Sequence, residues 1–296
     1  MSYSFITLLK NVNYLLQNKI SESIENASYN TMMCVEDYCM YELKENLSKK
    51  NNLTVLNYED TVELLLRKPK SFCRFGDGEI NLINGQSIPF QKYDRKLAEI
   101  LEEILKTDCN NIYVGINYNY FHSTKNMNEY NRRVYLLHTH LYRDYLEKNC
   151  YRNREYIAAG FNQQYMVVTN ETDLSDYYRK IKELFRGKSI AIFAGDGILD
   201  GLKYDVFELA RSKKIIAAPN KNSFSEYGNL LDKARKLPTN SLICFILGPT
   251  SKALVYQLSK EGYIAWDIGH LAKDYDAYMR NEKKSQANIV KFFSPD

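Results

Sequence analysis

Short runs of apolar residues alternate with amphipathic stretches along most of the chain. The runs have the length of buried strands and lie at residues 71–75, 112–116, 189–194, 214–218, 241–247 and 263–266. Between them, apolar residues recur at helical spacing, as in residues 97–105, where Asp94 precedes the stripe as an N-cap. This alternation predicts an α/β fold with a mostly parallel sheet covered by helices on both faces.

The same pattern predicts the helices that join these strands. They are expected at residues 129–148, from the turn at 195–197 to Arg211, after a capping box of Ser223 and Glu226, and from residue 250 to Lys260. Residues 1–55 lack this alternation of strands and helices, and their pattern predicts helices joined by a polar segment. We therefore predict a helical N-terminal extension at 1–55 and one large domain at 56–296.

The composition and net charge limit the kinds of ligand that the chain is expected to bind. The chain has 296 residues, is 45% hydrophobic and carries a formal net charge of +4. That excess would suit an anionic small ligand but is too small and too dispersed to favour nucleic acid. The six cysteines form no CxxC pair, and no signal peptide is visible, which favours buried reduced thiols and a cytoplasmic location.

The opening segment, residues 4–20, has apolar residues at helical spacing with two lysines nearby. Two interpretations stay open for it. The helix packs on the domain or on a second subunit, giving a homo-oligomer, or it lies peripherally on the inner face of a membrane. The sequence has no apolar stretch of the roughly 20 residues that a membrane span requires.

Polar turns follow four of the predicted strands. In a parallel sheet the carboxyl ends of the strands share one edge, where ligands bind against backbone amides and helix N-termini. We therefore expect these turns to line one site. They are Gly76-Asp77-Gly78-Glu79, Gly195-Asp196-Gly197, Gly248-Pro249-Thr250-Ser251 and Asp267-Ile268-Gly269-His270.

Asp77 and Glu79 are the candidate metal ligands, because two carboxylates flank a glycine at a strand end. Mg²⁺ and Mn²⁺ are commonly bound by one or two carboxylates together with diphosphate oxygens. The alternative is a turn acid and an acid favoured by the helix dipole. Arg74, just before them, would contact phosphate or pair with an acid.

The other turn residues also have two interpretations each. Asp196 would bind ribose hydroxyls or cap a helix, and Thr250 would donate to phosphate or act as an N-cap. His270 would be catalytic or structural. The sequence lacks a G-x-S-x-G elbow, a Walker A loop and a G-x-G-x-x-G fingerprint, so neither a serine hydrolase, an NTPase nor a classical NAD enzyme is favoured.

The order of these motifs resembles the GT-D-type glycosyltransferases, a former domain-of-unknown-function group with an Asp-x-Glu motif. The resemblance covers roughly residues 55–282. It is carried by residues 74–79 (RFGDGE), 88–94 (IPFQKYD), 195–197 (GDG), 204–207 (YDVF), 219–224 (PNKNSF), 247–250 (LGPT) and 267–270 (DIGH).

That resemblance implies a Rossmann-like fold of the GT-D type and a metal-dependent hexosyltransferase. The donor would be a nucleotide-sugar, as UDP-glucose is, and the acceptor a glycan or glycoprotein in bacterial surface polysaccharide or glycoprotein assembly. Asp77 and Glu79 would hold Mn²⁺ or Mg²⁺. The donor would contact Arg74, Gly76, Gly78, Gly195, Asp196, Gly197, Gly248 and Thr250, and the catalytic candidates are His270, Asp267 and Asp274.

Two rival functions remain open on the sequence. The first is another nucleotide-dependent transferase, for methyl or phosphoryl groups, on the same kind of sheet. The second is a non-catalytic module that binds a nucleotide or a glycan. The first would bind S-adenosylmethionine or ATP in place of a UDP-sugar, which a test of donor binding would reveal. The second would bind a ligand without any turnover.

Overall fold

The computed structural model describes residues 52–108 and 110–294. The predictions for residues 4–20, and most of the predicted extension at 1–55, lie outside the described residues. Residues 53–118 and 149–294 form one compact unit, and residues 119–148 belong to a second. The sequence did not indicate that 119–148 would separate from the rest of the predicted 56–296 domain.

An eight-stranded parallel sheet forms the centre of the first unit, as predicted. Its order is β1-β4-β3-β2-β8-β7-β5-β6, and each adjacent pair of strands is parallel. The strands are β1 (Thr54–Val55), β2 (Ser71–Arg74), β3 (Ile112–Ile116), β4 (Glu155–Ala158), β5 (Ser189–Gly195), β6 (Ser212–Ala218), β7 (Leu242–Ile246) and β8 (Ile264–Asp267).

Ten α-helices occur among the described residues, and Asp94 caps α3 as predicted, accepting from Leu97 N at 3.0 Å. They are α1 (Tyr58–Arg67), α2 (Asp77–Ile83), α3 (Arg95–Lys106), α4 (Glu129–Asn149), α5 (Gln164–Val167), α6 (Ser175–Glu183), α7 (Tyr227–Arg235), α8 (Thr250–Lys260), α9 (Leu271–Met279) and α10 (Gln286–Phe293).

The two halves of the sheet meet in its middle. Strands β1 to β4 lie on one side and β5 to β8 on the other, so that β2 and β8 are neighbours, aligned at Phe72 and Trp266. Because neighbouring strands are parallel, the carboxyl ends of β2 and β8 lie at the same edge of the sheet, which is where ligands bind in open parallel sheets. The turns after β2 and β8 are therefore brought together, as the sequence analysis expected.

Aromatic packing stabilises the interior at this junction. The rings of Phe72 and Trp266 are stacked with centroids 5.2 Å apart, and Phe161 meets Phe72 edge-on at 5.3 Å. Phe185 meets Trp266 edge-on at 5.7 Å. All four side chains are less than 2% exposed, so the ends of β2 and β8 are anchored in a tightly packed part of the core.

The predicted helix between residue 197 and Arg211 is wrong. The chain forms turns and bends there. Gly197 and Gly201 adopt φ values of 77° and 76°, which a right-handed helix cannot include. The segment is instead held by a residue of α9, because a carboxylate oxygen of Asp276 accepts from the amides of Lys203 and Tyr204 at 2.8 and 3.1 Å.

The predicted capping box at Ser223 and Glu226 is also wrong. The Ser223 hydroxyl donates to the carbonyl of Pro219 at 2.8 Å, and residues 223–226 form a 3₁₀ turn. Asn222 precedes them in the left-handed conformation with φ 54°. Helix α7 therefore begins only at Tyr227. Strands β1 and β4 were not predicted, because each is short and lacks a strong apolar run.

Three of the cysteines, Cys73, Cys150 and Cys244, lie among the described residues, and all three are buried thiols that form no disulfide, as predicted. A search of the described residues finds no helix both long and apolar enough to cross a membrane.

Candidate active site

The turn after β2 is closed by Glu79. The backbone leaves the sheet after Arg74, and Gly76 becomes the N-cap of α2. Oε2 of Glu79 then reaches back to accept from the amide of Gly76 at 2.8 Å. This contact satisfies one of the amides that a helix start leaves open and fixes the shape of the Asp77-Gly78-Glu79 turn.

Arg74 connects β2, β8 and the segment after β4. Its Nη2 lies 3.1 Å from Oδ1 of Asp267, and its Nε donates to the Asp267 carbonyl at 2.8 Å. Nη1 donates to Oδ1 of Asn162 at 2.7 Å and to the carbonyl of Ala159 at 3.1 Å. Each of its side-chain nitrogens thus has an acceptor within the protein, so of the two interpretations of Arg74 the structure shows the ion pair with an acid.

Lys252 is a site residue that the sequence analysis missed. It lies in the first turn of α8 and is buried, with its Nζ 3.0 Å from Oε1 of Glu79 and 3.1 Å from Oδ2 of Asp267. Its third donor bonds to the carbonyl of Gly248 at 3.2 Å. A cation in the first turn opposes the helix dipole, so a lysine at that position of a predicted helix was the available signal.

Asp267 and Lys252 are both held in their charged forms. Burial by itself raises the pKa of Asp267, but the charges of Arg74 and Lys252 outweigh it, and the pKa lies below its ordinary value. Burial lowers the pKa of Lys252, but Asp267 and Glu79 outweigh it, and the pKa lies above its ordinary value. Buried ions are tolerated when they are paired and hydrogen-bonded in this way.

Asp77 differs from its neighbours in this network. It lies half-buried at the first position of α2, and within residues 52–108 and 110–294 its carboxylate makes no hydrogen bond or ion pair. Its donor set fits a hard divalent cation held by one carboxylate and completed by diphosphate oxygens. In the described part of the chain, no three His, Cys, Asp or Glu side chains gather as a metal site.

Gly269 leaves space for the Arg74 side chain. It has φ +44°, and a Cβ at this position would collide with the guanidinium of Arg74 and lie 3.0 Å from Nδ2 of Asn162. Asn162 in turn donates to the carbonyl of Ile268 at 2.9 Å. The glycine of the Asp267-to-His270 turn is thus required for the arginine to lie along the end of β8.

Thr250 and Gly248 lie at the start of α8, on the same edge of the sheet. The Thr250 hydroxyl is fully buried and bonds to Oε1 of Gln91 at 3.4 Å, while Gly248 is exposed with φ +52°. The same Gln91 oxygen accepts from the amide of Phe224 at 3.3 Å. The structure therefore places the threonine in an internal contact and the glycine at the surface.

The turn after β5 lies on the same edge but away from Arg74. Strand β5 is two strands from β8, about 10 Å at the usual spacing. Gly195 is buried, whereas Asp196 and Gly197 are exposed. The Asp196 carbonyl accepts from Nδ2 of Asn220 at 3.1 Å. Because no helix follows, Asp196 is not a helix cap.

Asp274 and His270 occupy different environments. Asp274 is fully buried and accepts from the amides of Tyr165 and Met166 and from the Tyr178 hydroxyl, at 3.1, 3.2 and 2.5 Å. Burial raises its pKa to about 7 against these hydrogen bonds. His270 is half-buried, and its ring lies 5.3 Å from that of Phe292, on α10.

Comparisons with known proteins show that the chain is similar to glycosyltransferases. The model of the glycosyltransferase GT-D fold family matches residues 72–292. The chain is 34% identical over 236 residues to a probable glycosyl transferase, Gly, of Streptococcus gordonii, and 27% identical over 224 residues to glycosyltransferase GlyD of Streptococcus pneumoniae. These alignments cover 77% and 76% of this chain but 33% and 27% of the relatives, so the chain spans about a third of their length.

Solved structures of glycosyltransferases are also similar to this chain. A structure described as a new glycosyltransferase from Streptococcus sanguinis is 30% identical with a TM-score of 0.74, covering 79% of this chain and 87% of that one. A second, described as a domain of unknown function with a distinct glycosyltransferase fold, has the same identity and TM-score and covers 88% and 95%. The chain therefore belongs to the glycosyltransferase family of the GT-D fold.

Proposed function

We propose that this domain transfers a hexose-type sugar from a nucleoside diphosphate sugar, a UDP-sugar such as UDP-glucose, to a hydroxyl of a glycan or glycoprotein acceptor. The acceptor class would place it in the assembly of bacterial surface polysaccharide or glycoprotein, on the cytoplasmic side. Family membership supports sugar transfer in general. The metal requirement rests on the site, and the choice of a UDP-sugar rests on the resemblance to the GT-D-type glycosyltransferases.

The observation that carries the proposal is the position of Asp77. Its carboxylate is without a partner among the described residues, at the carboxyl edge of the sheet where β2 and β8 meet. The adjacent charges of Arg74, Lys252, Asp267 and Glu79 cancel as two cations and two carboxylates. Asp77 is therefore the uncompensated charge of this cluster, and a divalent cation with a diphosphate would complete it.

A divalent cation bound there would neutralise the charge that develops on the leaving nucleoside diphosphate. Residues of this chain would position the diphosphate of the donor. The guanidinium of Arg74 holds the end of β8 in place, and the turns at Gly78, which is half-buried, and Gly248, which is exposed, would let a backbone approach phosphate oxygens.

The three catalytic candidates differ in what they can reach. Asp267 and Asp274 are buried, and both oxygens of each accept hydrogen bonds or ion pairs from within the protein. His270 is half-buried at the same edge of the sheet. We therefore assign the contact with the acceptor to His270, and positioning to Asp267 and Asp274.

Donor binding provides the direct test. Thermal melting would be measured with UDP, GDP, CDP, ADP and S-adenosylmethionine, each with and without Mn²⁺. A ligand at 100 times its Kd stabilises the native state by about 2.7 kcal/mol. We expect UDP with Mn²⁺ to raise the melting temperature, and Asp77→Asn to abolish the rise without unfolding the protein.

The matched control is Asp232→Asn, which removes an exposed carboxylate paired with Arg235 at 3.3 Å. It should keep the full UDP response. A response to S-adenosylmethionine or ADP in place of UDP would instead support the methyl- or phosphotransferase alternative. UDP binding without turnover on any acceptor would support the binding-module alternative.

A further inference from the structure

The two acids of the Asp77-Gly78-Glu79 turn have different surroundings. Both oxygens of Glu79 are engaged, Oε2 by the amide of Gly76 at 2.8 Å and Oε1 by Nζ of Lys252 at 3.0 Å. In the part of the chain that the structure describes, the Asp77 carboxylate has neither kind of partner. Two equivalent metal ligands would be expected to share one environment.

The lysine already occupies the place of a cation between two carboxylates. Its Nζ lies 3.0 Å from Oε1 of Glu79 and 3.1 Å from Oδ2 of Asp267, and the carbonyl of Gly248 at 3.2 Å takes its third donor. An ammonium has three donors, and all three are used. A divalent ion bound to Glu79 would have to displace this buried ammonium or lie directly against it.

We propose that Lys252 is a positioning residue of the donor site, the internal counter-ion that keeps Glu79 as the closing residue of the turn. Asp77 is then the carboxylate of the pair that binds the divalent cation. The assignment of Asp77 rests on the proposed function, because it presumes that a metal–diphosphate binds here. The counter-ion role of Lys252 stands on the contacts alone.

Metal binding without nucleotide tests the lysine. In Lys252→Met the stem is kept and the charge removed, so Glu79 loses its ion-pair partner, Asp267 keeps only Arg74, and one oxygen of each carboxylate faces the same gap. We expect this variant to bind Mn²⁺ at least about 10-fold tighter than the wild type, because two carboxylates are a common set for such ions. Free Mn²⁺ would be measured by electron paramagnetic resonance.

Two further variants make this result specific. Lys260→Met removes an exposed lysine of the same helix, which pairs with Glu103 at 3.4 Å, and should leave Mn²⁺ affinity unchanged. The double variant Lys252→Met/Glu79→Gln should lose the gain. Mn²⁺ affinity in Lys252→Met equal to that of the wild type would overturn the counter-ion role.

A second experiment decides the proposal even if Lys252→Met does not fold. The affinity for Mn²⁺–UDP would be compared in Asp77→Asn and Glu79→Gln, where Asp267 still pairs with Lys252. We expect a loss of at least about 50-fold for Asp77→Asn and of less than about 5-fold for Glu79→Gln, because one carboxylate with diphosphate oxygens suffices for such an ion. Equal losses would overturn the division of roles.

Failure of the proposed function gives a different result. A wild type that binds no nucleoside diphosphate with any metal refutes the assignment of Asp77. The counter-ion role is then decided by nucleotide-free Mn²⁺ binding in Lys252→Met against Lys260→Met.

Discussion

Replacing Asp267 with asparagine should strongly destabilise the protein. The carboxylate is 1% exposed and lies within 3.1 Å of the cationic groups of Arg74 and Lys252. Its Oδ2 also accepts from the amide of Arg74 at 3.2 Å. Asparagine keeps the volume but removes the charge, so Arg74 would lose its carboxylate partner and Lys252 would keep only Glu79.

Breaking a buried ion pair from one side costs about 3 to 5 kcal/mol. That is a large part of the 5 to 15 kcal/mol or so by which a domain is stable. For a unit of this size each kcal/mol lowers the melting temperature by about 2 to 4 °C. We therefore expect Asp267→Asn to melt about 6 to 20 °C below the wild type.

Fluorescence of Trp266 provides the assay, because it is the single tryptophan of the chain and precedes Asp267. Its indole is 1% exposed and donates to the carbonyl of Lys70 at 2.8 Å, so its emission reports on this junction. Urea unfolding would compare Asp267→Asn with Asp232→Asn, whose exposed pair should contribute less than about 1 kcal/mol. Equal losses in the two variants would refute the reasoning.

Three further outcomes are expected. Gly269→Ala should cost more free energy of unfolding than Gly262→Ala, because both have positive φ but a Cβ meets Arg74 and Asn162 only at 269; equal costs would contradict this. Burial raises the pKa of Asp274 to about 7, so the contribution of this group to stability should be complete below its unfolded pKa of about 4 and be lost as pH rises through 7. Asp274→Asn should flatten that decline in the urea midpoint between about pH 4.5 and 8, and an unchanged slope would refute it. His270→Ala should lower kcat more than it weakens Mn²⁺–UDP binding, and a loss confined to donor affinity would argue against the acceptor contact.

The sequence predicted the sheet well because its strands are strongly apolar. The predicted strands at residues 71–75, 112–116, 189–194 and 263–266 each overlap an observed strand, since burial on both faces leaves a continuous apolar run. Strand β1 has two residues and gives no such signal. The segment 197–211 was misread because its turn geometry is held by Asp276, which lies more than 60 residues further along the chain.

The site was predictable to the extent that it consists of local turns. Asp77 and Glu79 follow β2, Asp267 ends β8 and His270 follows it, so their common edge could be inferred from the pattern. What each does depends on Lys252, whose partners Glu79 and Asp267 belong to other parts of the chain. Spacing does not reveal a contact across 173 residues, from 79 to 252, so the two acids of the turn looked equivalent.

The charged cluster also has a structural consequence for the sheet. The junction between β2 and β8 is held at one end by Ser71, whose hydroxyl accepts from the Ala265 amide at 3.0 Å and donates to the Tyr263 carbonyl at 3.1 Å. At the other end, Arg74 and Asp267 hold it through their ion pair and backbone bonds. Residues that shape the proposed donor site thus also join the two halves of the sheet. Substitutions there should change stability and binding together, whereas Asp77, which joins nothing among the described residues, should change binding alone.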